Sequence, residues 1–181
     1  VGAVETVYTL SSGDDKFTTA ADGFATTDKF AVAAGAGTDT LVVAAKADLD
    51  TAAEAARYTG FETLSLTDSQ DTSLISSITG IEMAADTSAV ISGVNATAAG
   101  NITVAGDQAT AFTVTLANAT GSSDVVTLDL KSATTTTNVD VAALSVVGVE
   151  TLNVKGTTGT AGTDSDLSIG GSGADKLTTV N

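Results

Sequence analysis

The sequence predicts an all-β fold, a parallel β-solenoid or β-roll in which short strands stack coil upon coil. Short runs rich in β-branched residues recur along the chain, and Gly, Asn, Asp and Ser separate them. One phrase occurs twice almost unchanged, as GFETLSL at 60–66 and as GVETLNV at 148–154. Aromatic residues make up only 4% of a chain that is 43% hydrophobic, so the core is built of small side chains that suit thin, stacked sheets.

The predicted strands are short and cover much of the chain. They lie at residues 4–10, 30–33, 40–44, 61–66, 102–105, 112–116, 125–130, 139–144, 150–154 and 166–169. Looser copies of the repeated phrase stand at 3–9 and 80–85. Glu62 and Glu82 are about twenty residues apart, a spacing within the range of solenoid coils. A phrase that recurs at this spacing predicts a recurring structural unit.

One short helix is predicted at 47–60, in the segment ADLDTAAEAARYTG. Asp48 and Asp50 are the candidate N-caps of this Ala-rich segment, and Gly60 ends it. A second segment, 71–80, occupies the same place before the next Gly–apolar–Glu phrase. It is either a helical turn or a corner of a coil.

The repeat is imperfect in the middle of the chain. Between 105 and 140 the period blurs, so this stretch either continues the solenoid or forms a small antiparallel insertion. Residues 115–130 are typical of two strands joined by a turn at 118–124, and the polar segment 131–140 is typical of a loop. Because no Pro-rich or charged linker interrupts the chain, we expect a single β-rich repeat module over 1–181.

The charge balance is strongly acidic, with 22 acidic and 7 basic residues and a formal net charge of −15. Nucleic acid is therefore not an expected partner, because phosphates require Lys and Arg. Direct membrane insertion is not expected either, since no apolar run reaches membrane-spanning length. Two interpretations remain for the excess of carboxylates: a solvated acidic surface, or binding sites for divalent cations.

One motif favours the second interpretation, binding sites for divalent cations. The stretch GGSGADKLT, at 170–178, fits the pattern G-G-x-G-x-D-x-U-x throughout. Its glycines allow tight turns with exposed carbonyls, its Asp supplies a carboxylate, and the apolar residue two positions later begins an inward-facing strand. Neighbouring coils of a parallel β-roll hold Ca²⁺ between such turns, because this ion prefers hard oxygen ligands. The predicted metal-binding residues are Gly170, Gly171, Gly173 and Asp175.

Two degenerate copies of this motif lie near the N-terminus. Gly35, Gly37 and Asp39 keep the pattern in GAGTDTL, and Gly13 and Asp15 keep a shorter part of it in GDDKF. We predict that these residues are also calcium ligands. The alternative is ordinary turn chemistry, in which Asp caps its own turn and Gly adopts a positive φ.

The glutamate of the repeated phrase has two interpretations as well. Glu5, Glu62, Glu82 and Glu150 could ligate Ca²⁺ at the edges of the coils. In the second interpretation, which we favour, each glutamate stands at the start of a strand and bonds backbone donors of the next coil. The neighbouring ligands that a metal site requires are not evident around these residues in the sequence.

The segments GAGTDTL, GGSGADKL, GFETLSL, GVETLNV and TLANATGSSD together resemble the repetitive calcium-binding part of bacterial surface-layer proteins of the RTX class. The resemblance covers most of the chain. It implies RTX-type calcium loops, Ca²⁺ as the cofactor, export by type I secretion and an extracellular location at the cell surface. It further implies that the chain is a fragment of a larger surface protein. The implied partners are copies of the same chain in a two-dimensional lattice, and cell-surface polysaccharide bound through other domains.

The resemblance favours a structural module of a surface layer, with calcium-dependent folding and self-assembly and no enzymatic activity. The alternative is a spacer or ligand-binding module of a large RTX adhesin, which would share the ions and the export route. A polysaccharide-cleaving enzyme would need paired carboxylates, such as Glu62 and Glu82 stacked on adjacent coils. The chain contains no His and no Cys, which excludes the common nucleophile–base pairs.

Overall fold

A computed structural model describes residues 4, 6–19, 29–84, 89–131, 138–157 and 165–181. Strands dominate this part of the chain. In chain order they are β1 (Thr6–Thr9), β2 (Lys16–Thr18), β3 (Phe30–Ala33), β4 (Thr40–Val43), β5 (Tyr58–Thr59), β6 (Thr63–Leu66), β7 (Gln70–Asp71), β8 (Gly80–Met83), β9 (Val90–Val94), β10 (Ile102–Val104), β11 (Phe112–Leu116), β12 (Val125–Lys131), β13 (Val141–Val147), β14 (Thr151–Thr157), β15 (Leu167–Ile169) and β16 (Thr179–Val180).

The strands wind into a parallel β-solenoid. The even-numbered strands form one eight-stranded sheet, in the order β16-β14-β12-β10-β8-β6-β4-β2. The odd-numbered strands form a three-stranded sheet, β1-β3-β5, and a five-stranded sheet, β15-β13-β11-β9-β7. Each coil therefore contributes one odd and one even strand, and we number the coils 1 to 8 from β1/β2 to β15/β16. All pairings between these strands are parallel, which confirms the predicted all-β, parallel stacked architecture.

Coil length varies, which explains why the period blurs in the sequence. Equivalent positions are separated by 17 residues between β6 and β8, by 26 residues between β12 and β14, and by 28 residues between β14 and β16. The stretch around β10 to β13 continues the same parallel stacking. An antiparallel insertion at 105–140 is therefore not found among the described residues; 132–137, in the predicted loop, lie outside them.

The core is a column of apolar side chains that stack directly on one another. Register places in one column Phe17, Leu41, Leu64, Ile81, Ile102, Leu128 and Val154. Leu41, Leu64 and Leu128 are fully buried. Burying a side chain of this size contributes about 1.5–3 kcal/mol, so the repeated column supplies a large part of the free energy of folding. Parallel in-register stacking brings like residues together, and small aliphatic side chains therefore suffice without a bulky aromatic core.

The helix predicted at 47–60 is wrong in extent. The structure contains a 3₁₀ segment at Lys46–Leu49 and a one-turn helix, α1, at Ala52–Ala55. Thr51 is the N-cap of α1: its hydroxyl accepts from the Glu54 amide at 3.2 Å, and the Glu54 carboxylate accepts from the Thr51 amide at 3.0 Å. The helix is short because the chain must return to form β5, which pairs with β3.

Three further helical turns close other coils. The 3₁₀ segment Thr72–Ile75 confirms a helical turn within 71–80. A second one-turn helix, α2, spans Ala96–Ala99, and the Asn95 side chain caps it by accepting from the Ala98 amide at 2.9 Å. The third is the 3₁₀ segment Gly171–Ala174. Such turns are brief because each connection only reverses the chain between two faces of one coil.

Glycine substitutions test the close stacking of the coils. Gly148 has a φ of +72°, and a β-carbon at this position would lie 2.8 Å from that of Ala119 in the preceding coil. We expect Gly148→Ala to lower the free energy of unfolding by about 1–3 kcal/mol, because both the left-handed backbone and the contact disfavour a side chain. Gly156→Ala is the matched control, since a β-carbon there meets no atom within 4 Å. Urea denaturation curves with equal midpoints for both variants would contradict this packing.

Candidate functional site

The three glycine–aspartate motifs lie on the same edge of the solenoid. We call this the turn edge, which consists of the connections from an odd-numbered strand to the next even-numbered strand. Gly13 and Asp15 belong to coil 1, and the motif from Gly35 to Asp39 belongs to coil 2, so these two turns are neighbours. The third motif, at 170–175, lies in coil 8 at the far end of the stack.

The backbones of the first two turns are in direct contact. Gly35 and Gly37 have φ values of +102° and +135°, which favour glycine. A β-carbon on Gly37 would lie 2.6 Å from the carbonyl oxygen of Gly13, and one on Gly35 would overlap the carbonyl oxygen of Ser11. Glycine is therefore required at both positions, because of the positive φ and because a side chain would meet the backbone of coil 1. Carbonyl oxygens of coil 1 thus lie against coil 2.

Asp39 is the centre of this pair of turns. The residue is fully buried, and its Oδ1 accepts from the Asp15 amide at 2.8 Å. The Thr38 amide donates to Asp14 Oδ1 at 2.8 Å, and the Ser11 hydroxyl donates to Asp15 Oδ2 at 2.8 Å. Asp39 Oδ2 is buried and has no hydrogen-bond partner in the described part of the chain. A buried carboxylate oxygen without a donor is unfavourable unless another group or ion satisfies it.

The motif in coil 8 has a different geometry. Gly171 and Gly173 lie in the 3₁₀ segment that follows Gly170, and Gly173 packs closely on the side chain of Ser145. Asp175 is exposed and follows the last residue of that segment. The structure thus brings Asp15 and Asp39 together, but it does not bring Gly170, Gly171, Gly173 or Asp175 near them.

The glutamates of the repeated phrase bond the backbone of a neighbouring coil. Glu62 Oε2 accepts from the Asp39 amide at 2.9 Å, and Glu150 Oε2 accepts from the Asp124 amide at 2.8 Å. Both glutamates follow a glycine of positive φ by two residues, Gly60 at +81° and Gly148 at +72°. The favoured interpretation, a bond to backbone donors, is confirmed for these two residues, although the donors belong to the preceding coil and not to the next one.

The remaining copies of the phrase are not equivalent. Register pairs Thr63 with Gly80, so Glu82 lies beside Ser65 and not beside Glu62. Glu82 Oε1 accepts from the Ser65 hydroxyl at 3.0 Å. The expectation that Glu62 and Glu82 stack on adjacent coils, as an enzyme would require, is therefore wrong. The short connection between β6 and β8 shifts the repeated phrase by three positions. Glu5 lies outside the described residues.

A second row of carboxylates lies on the opposite edge, and the sequence motifs did not predict it. The Asp140 amide donates to Asp107 Oδ1 at 3.0 Å, and the Asp166 amide donates to Asp140 Oδ1 at 3.0 Å. The available signal was the position of Asp140 and Asp166, each directly before the strands that begin at Val141 and Leu167. Aspartates that bridge neighbouring coils are thus a property of both edges.

The turns of coils 1 and 2 match Ca²⁺ in the chemistry of their donors. They offer the unpartnered Oδ2 of Asp39, the carboxylate of Asp15 and backbone carbonyls, all hard oxygens. Within the described ranges, no group of three or more His, Cys, Asp or Glu side chains has a metal-binding arrangement. An ion held here would therefore take its remaining ligands from carbonyl oxygens and water, the composition of a weak site.

A buried polar cluster at the other edge of coils 1 to 3 has a structural role. Asp48 is fully buried, and its Oδ2 accepts from the Thr19 hydroxyl at 2.9 Å. Arg57 is also buried and donates to the carbonyl oxygen of Phe30 at 2.6 Å. Burial raises the pKa of Tyr58 well above its usual range, the carboxylates of Asp48 and Glu54 raise it further, and Arg57 opposes them.

Comparison with known proteins adds no family. No protein-family model, curated protein or solved structure matches the chain significantly. Among the described residues, no helix is long and apolar enough to cross a membrane. The inference of function therefore rests on the geometry of the turns and on the sequence motifs.

The glutamate contacts can be tested with one substitution and a conservative control. Glu62→Ala leaves the Asp39 amide without its acceptor, so we expect a loss of about 1–3 kcal/mol in the free energy of unfolding. Hydrogen exchange at the Asp39 amide should accelerate in the same variant. Glu62→Gln keeps an acceptor oxygen and should retain most of the protection. Unchanged exchange at Asp39 in Glu62→Ala would show that the contact does not hold the coils together.

Tyr58 provides a pH test of the buried cluster. The folded state holds the phenolic proton more tightly than the unfolded state, so the resulting stability is fully present below the pKa of unfolded tyrosine, about 10, and is lost as the pH rises through the higher pKa of folded Tyr58. In Tyr8→Phe, Tyr58 is the only tyrosine left of the two. Its ultraviolet absorbance should show no tyrosinate at about pH 10 until the chain unfolds. Half-ionisation at that pH in folded protein would contradict the assigned burial.

Proposed function

We propose that this chain is a structural module of a bacterial surface layer whose folding and self-assembly depend on calcium. The observation that supports it best is the pair of touching turns in coils 1 and 2. There a buried carboxylate oxygen of Asp39 has no hydrogen-bond partner in the described part of the chain. The role is mechanical and not catalytic: the solenoid presents two long sheet faces, and ions fix the turns that join them.

Calcium would act through folding equilibrium and charge. An ion that binds only the folded state stabilises it by mass action. Each Ca²⁺ also neutralises part of the net charge of −15, whose self-repulsion opposes a compact chain. Extracellular calcium modules bind with dissociation constants of roughly 10⁻⁴ to 10⁻³ M. The proposed sites are therefore weak, and they respond to calcium outside the cell, where type I secretion would deliver the protein.

Neutralised solenoids could then assemble. The proposed partners are further copies of the chain in a two-dimensional lattice, because a screened acidic surface no longer repels its neighbours. Attachment to cell-surface polysaccharide would fall to other domains of a larger protein. Neither nucleic acid nor direct membrane insertion has a place in this proposal, given the excess of carboxylates.

A calcium titration of chelator-treated protein tests the proposal. Circular dichroism and light scattering are recorded together for the wild type, Asp39→Asn and the control Asp68→Asn, an exposed position away from both turns. We expect β-signal to rise with Ca²⁺ and scattering to follow. Asp39→Asn should shift the midpoint to roughly tenfold higher calcium, as expected when about 1.4 kcal/mol of ligand binding is lost.

Two outcomes would count against the proposal. A complete β-signal in chelator, unchanged by calcium, would leave the glycine–aspartate turns as ordinary turn chemistry. Equal midpoints for Asp39→Asn and Asp68→Asn would remove Asp39 from the set of ligands.

A further inference from the structure

A cavity with a volume of about 390 Å³ lies on the turn edge between coils 5 and 6. It is far from the paired turns of coils 1 and 2 in the order of the stack. Val94, Leu116 and Val125 give it an apolar wall. The polar side chains of Asn118 and Asp124 line the same space, together with Ser123. Its volume and its mixture of apolar wall and few polar groups are those of a site for a small organic molecule.

Asp124 supplies the charge in this cavity. Its backbone is fully engaged with the next coil: the amide donates to Glu150 Oε2 at 2.8 Å, and the carbonyl accepts from the Glu150 and Thr151 amides at 3.1 Å each. Its side chain is not engaged in the same way, since Oδ2 is buried and has no hydrogen-bond partner among the described residues. The backbone bonds therefore fix the position of the carboxylate, but no described protein group donates a hydrogen bond to its Oδ2.

Gly121 lies against Asp124 Oδ2, so a ligand in the cavity would reach the carboxylate through Oδ1. A β-carbon on Gly121 would lie 3.1 Å from Asp124 Oδ2, and Gly121 does not have the left-handed backbone that would require glycine. Lys176 reaches the same loop, but its Nζ donates to the carbonyl oxygen of Ala119 at 3.4 Å. A side chain at Gly121 would therefore displace the carboxylate from this position.

The neighbouring polar groups complement a ligand that bears hydroxyl groups. Asn118 Oδ1 accepts from the Thr120 amide at 3.2 Å and from the Thr120 hydroxyl at 2.8 Å. Its Nδ2 is therefore the part of the amide that can donate to a ligand. The hydroxyl of Ser123, an exposed residue, can donate and accept.

We infer that this cavity binds a small organic ammonium compound of the size of an amino sugar, with its ammonium group on Asp124. An unpartnered carboxylate favours a cationic ligand, and the net charge of −15 raises the local concentration of cations. The apolar wall would cover the carbon face of the ligand, while Asn118 and Ser123 would bond its hydroxyl groups. A bare Ca²⁺ ion fits less well, because it requires six to eight oxygen ligands and most of this lining is apolar.

Three probes that differ in one group test the inference. Glucosamine carries the ammonium, glucose lacks it, and N-acetylglucosamine replaces it with a neutral amide. Binding is followed by amide chemical shifts at slightly acidic pH, where glucosamine is protonated. We expect glucosamine alone to shift the amides of residues 117–124. Asp124→Asn should weaken binding at least tenfold, since it removes the charge but keeps the backbone bonds to Glu150. Gly121→Ala should weaken binding as well, because its methyl group would lie 3.1 Å from Asp124 Oδ2 and displace the carboxylate.

The controls separate this site from the calcium site. Asp68→Asn should bind glucosamine like the wild type, and Asp39→Asn should do so whenever it is folded. Circular dichroism identifies any variant that is not folded, in which case Gly121→Ala and Asp124→Asn serve as replacements for each other. Equal binding of glucose and glucosamine, unchanged binding in both cavity variants, or no binding by the wild type would each overturn the inference. Shifts at these residues with Ca²⁺ but not with glucosamine would overturn it and assign the cavity to the metal ion.

Discussion

The hydrogen bonding of each coil to the next is the interaction on which the structure depends. In a parallel stack, the strands pair along their whole length, but the turns between them must find partners of their own. Asp39 and Glu62 provide these partners on the turn edge, because the carboxylate of one coil accepts a hydrogen bond from an amide of the coil before it. The carbonyl oxygen of Asp39 in turn accepts two amides of the following coil, from Glu62 and Thr63. Carboxylates are thus built into the backbone pairing.

This solution has an electrostatic consequence. Asp15, Asp39 and Glu62 occupy three successive coils at the same edge, and Asp107, Asp140 and Asp166 do so at the other. Like charges stacked in this way repel one another, and burial of Asp39 weakens the screening by water. A divalent cation relieves this repulsion where oxygen ligands are available. The acidity of the chain, its coil-to-coil bonding and the proposed dependence on calcium therefore have one physical origin.

The sequence predicts the architecture well because stacking imposes local rules. Short β-branched runs predicted most of the strands, and Leu41, two residues after Asp39, faces the core as the motif requires. The strands that were not predicted are β2, β5, β7, β8, β9 and β16. The two-residue strands among them, such as β7, form through pairing and not through propensity. The length of the helix at 47–60 was overestimated for the same reason, because the C-terminal part of the predicted helix forms strand β5. The contact between the turns of Asp15 and Asp39 depends on a register that variable coil lengths conceal, and so could not be read from the sequence.

The most direct test of the central claim is a crystal structure of the protein grown with millimolar Ca²⁺, with anomalous diffraction used to locate the ions. The account predicts an anomalous peak between the turns of coils 1 and 2, about 2.3–2.6 Å from Asp39 Oδ2, with carbonyl oxygens and water completing the ligand set. Density for ordered turns without a peak at Asp39 would contradict it. In that case the carboxylates would serve the backbone pairing alone, and calcium would have no part in holding these coils together.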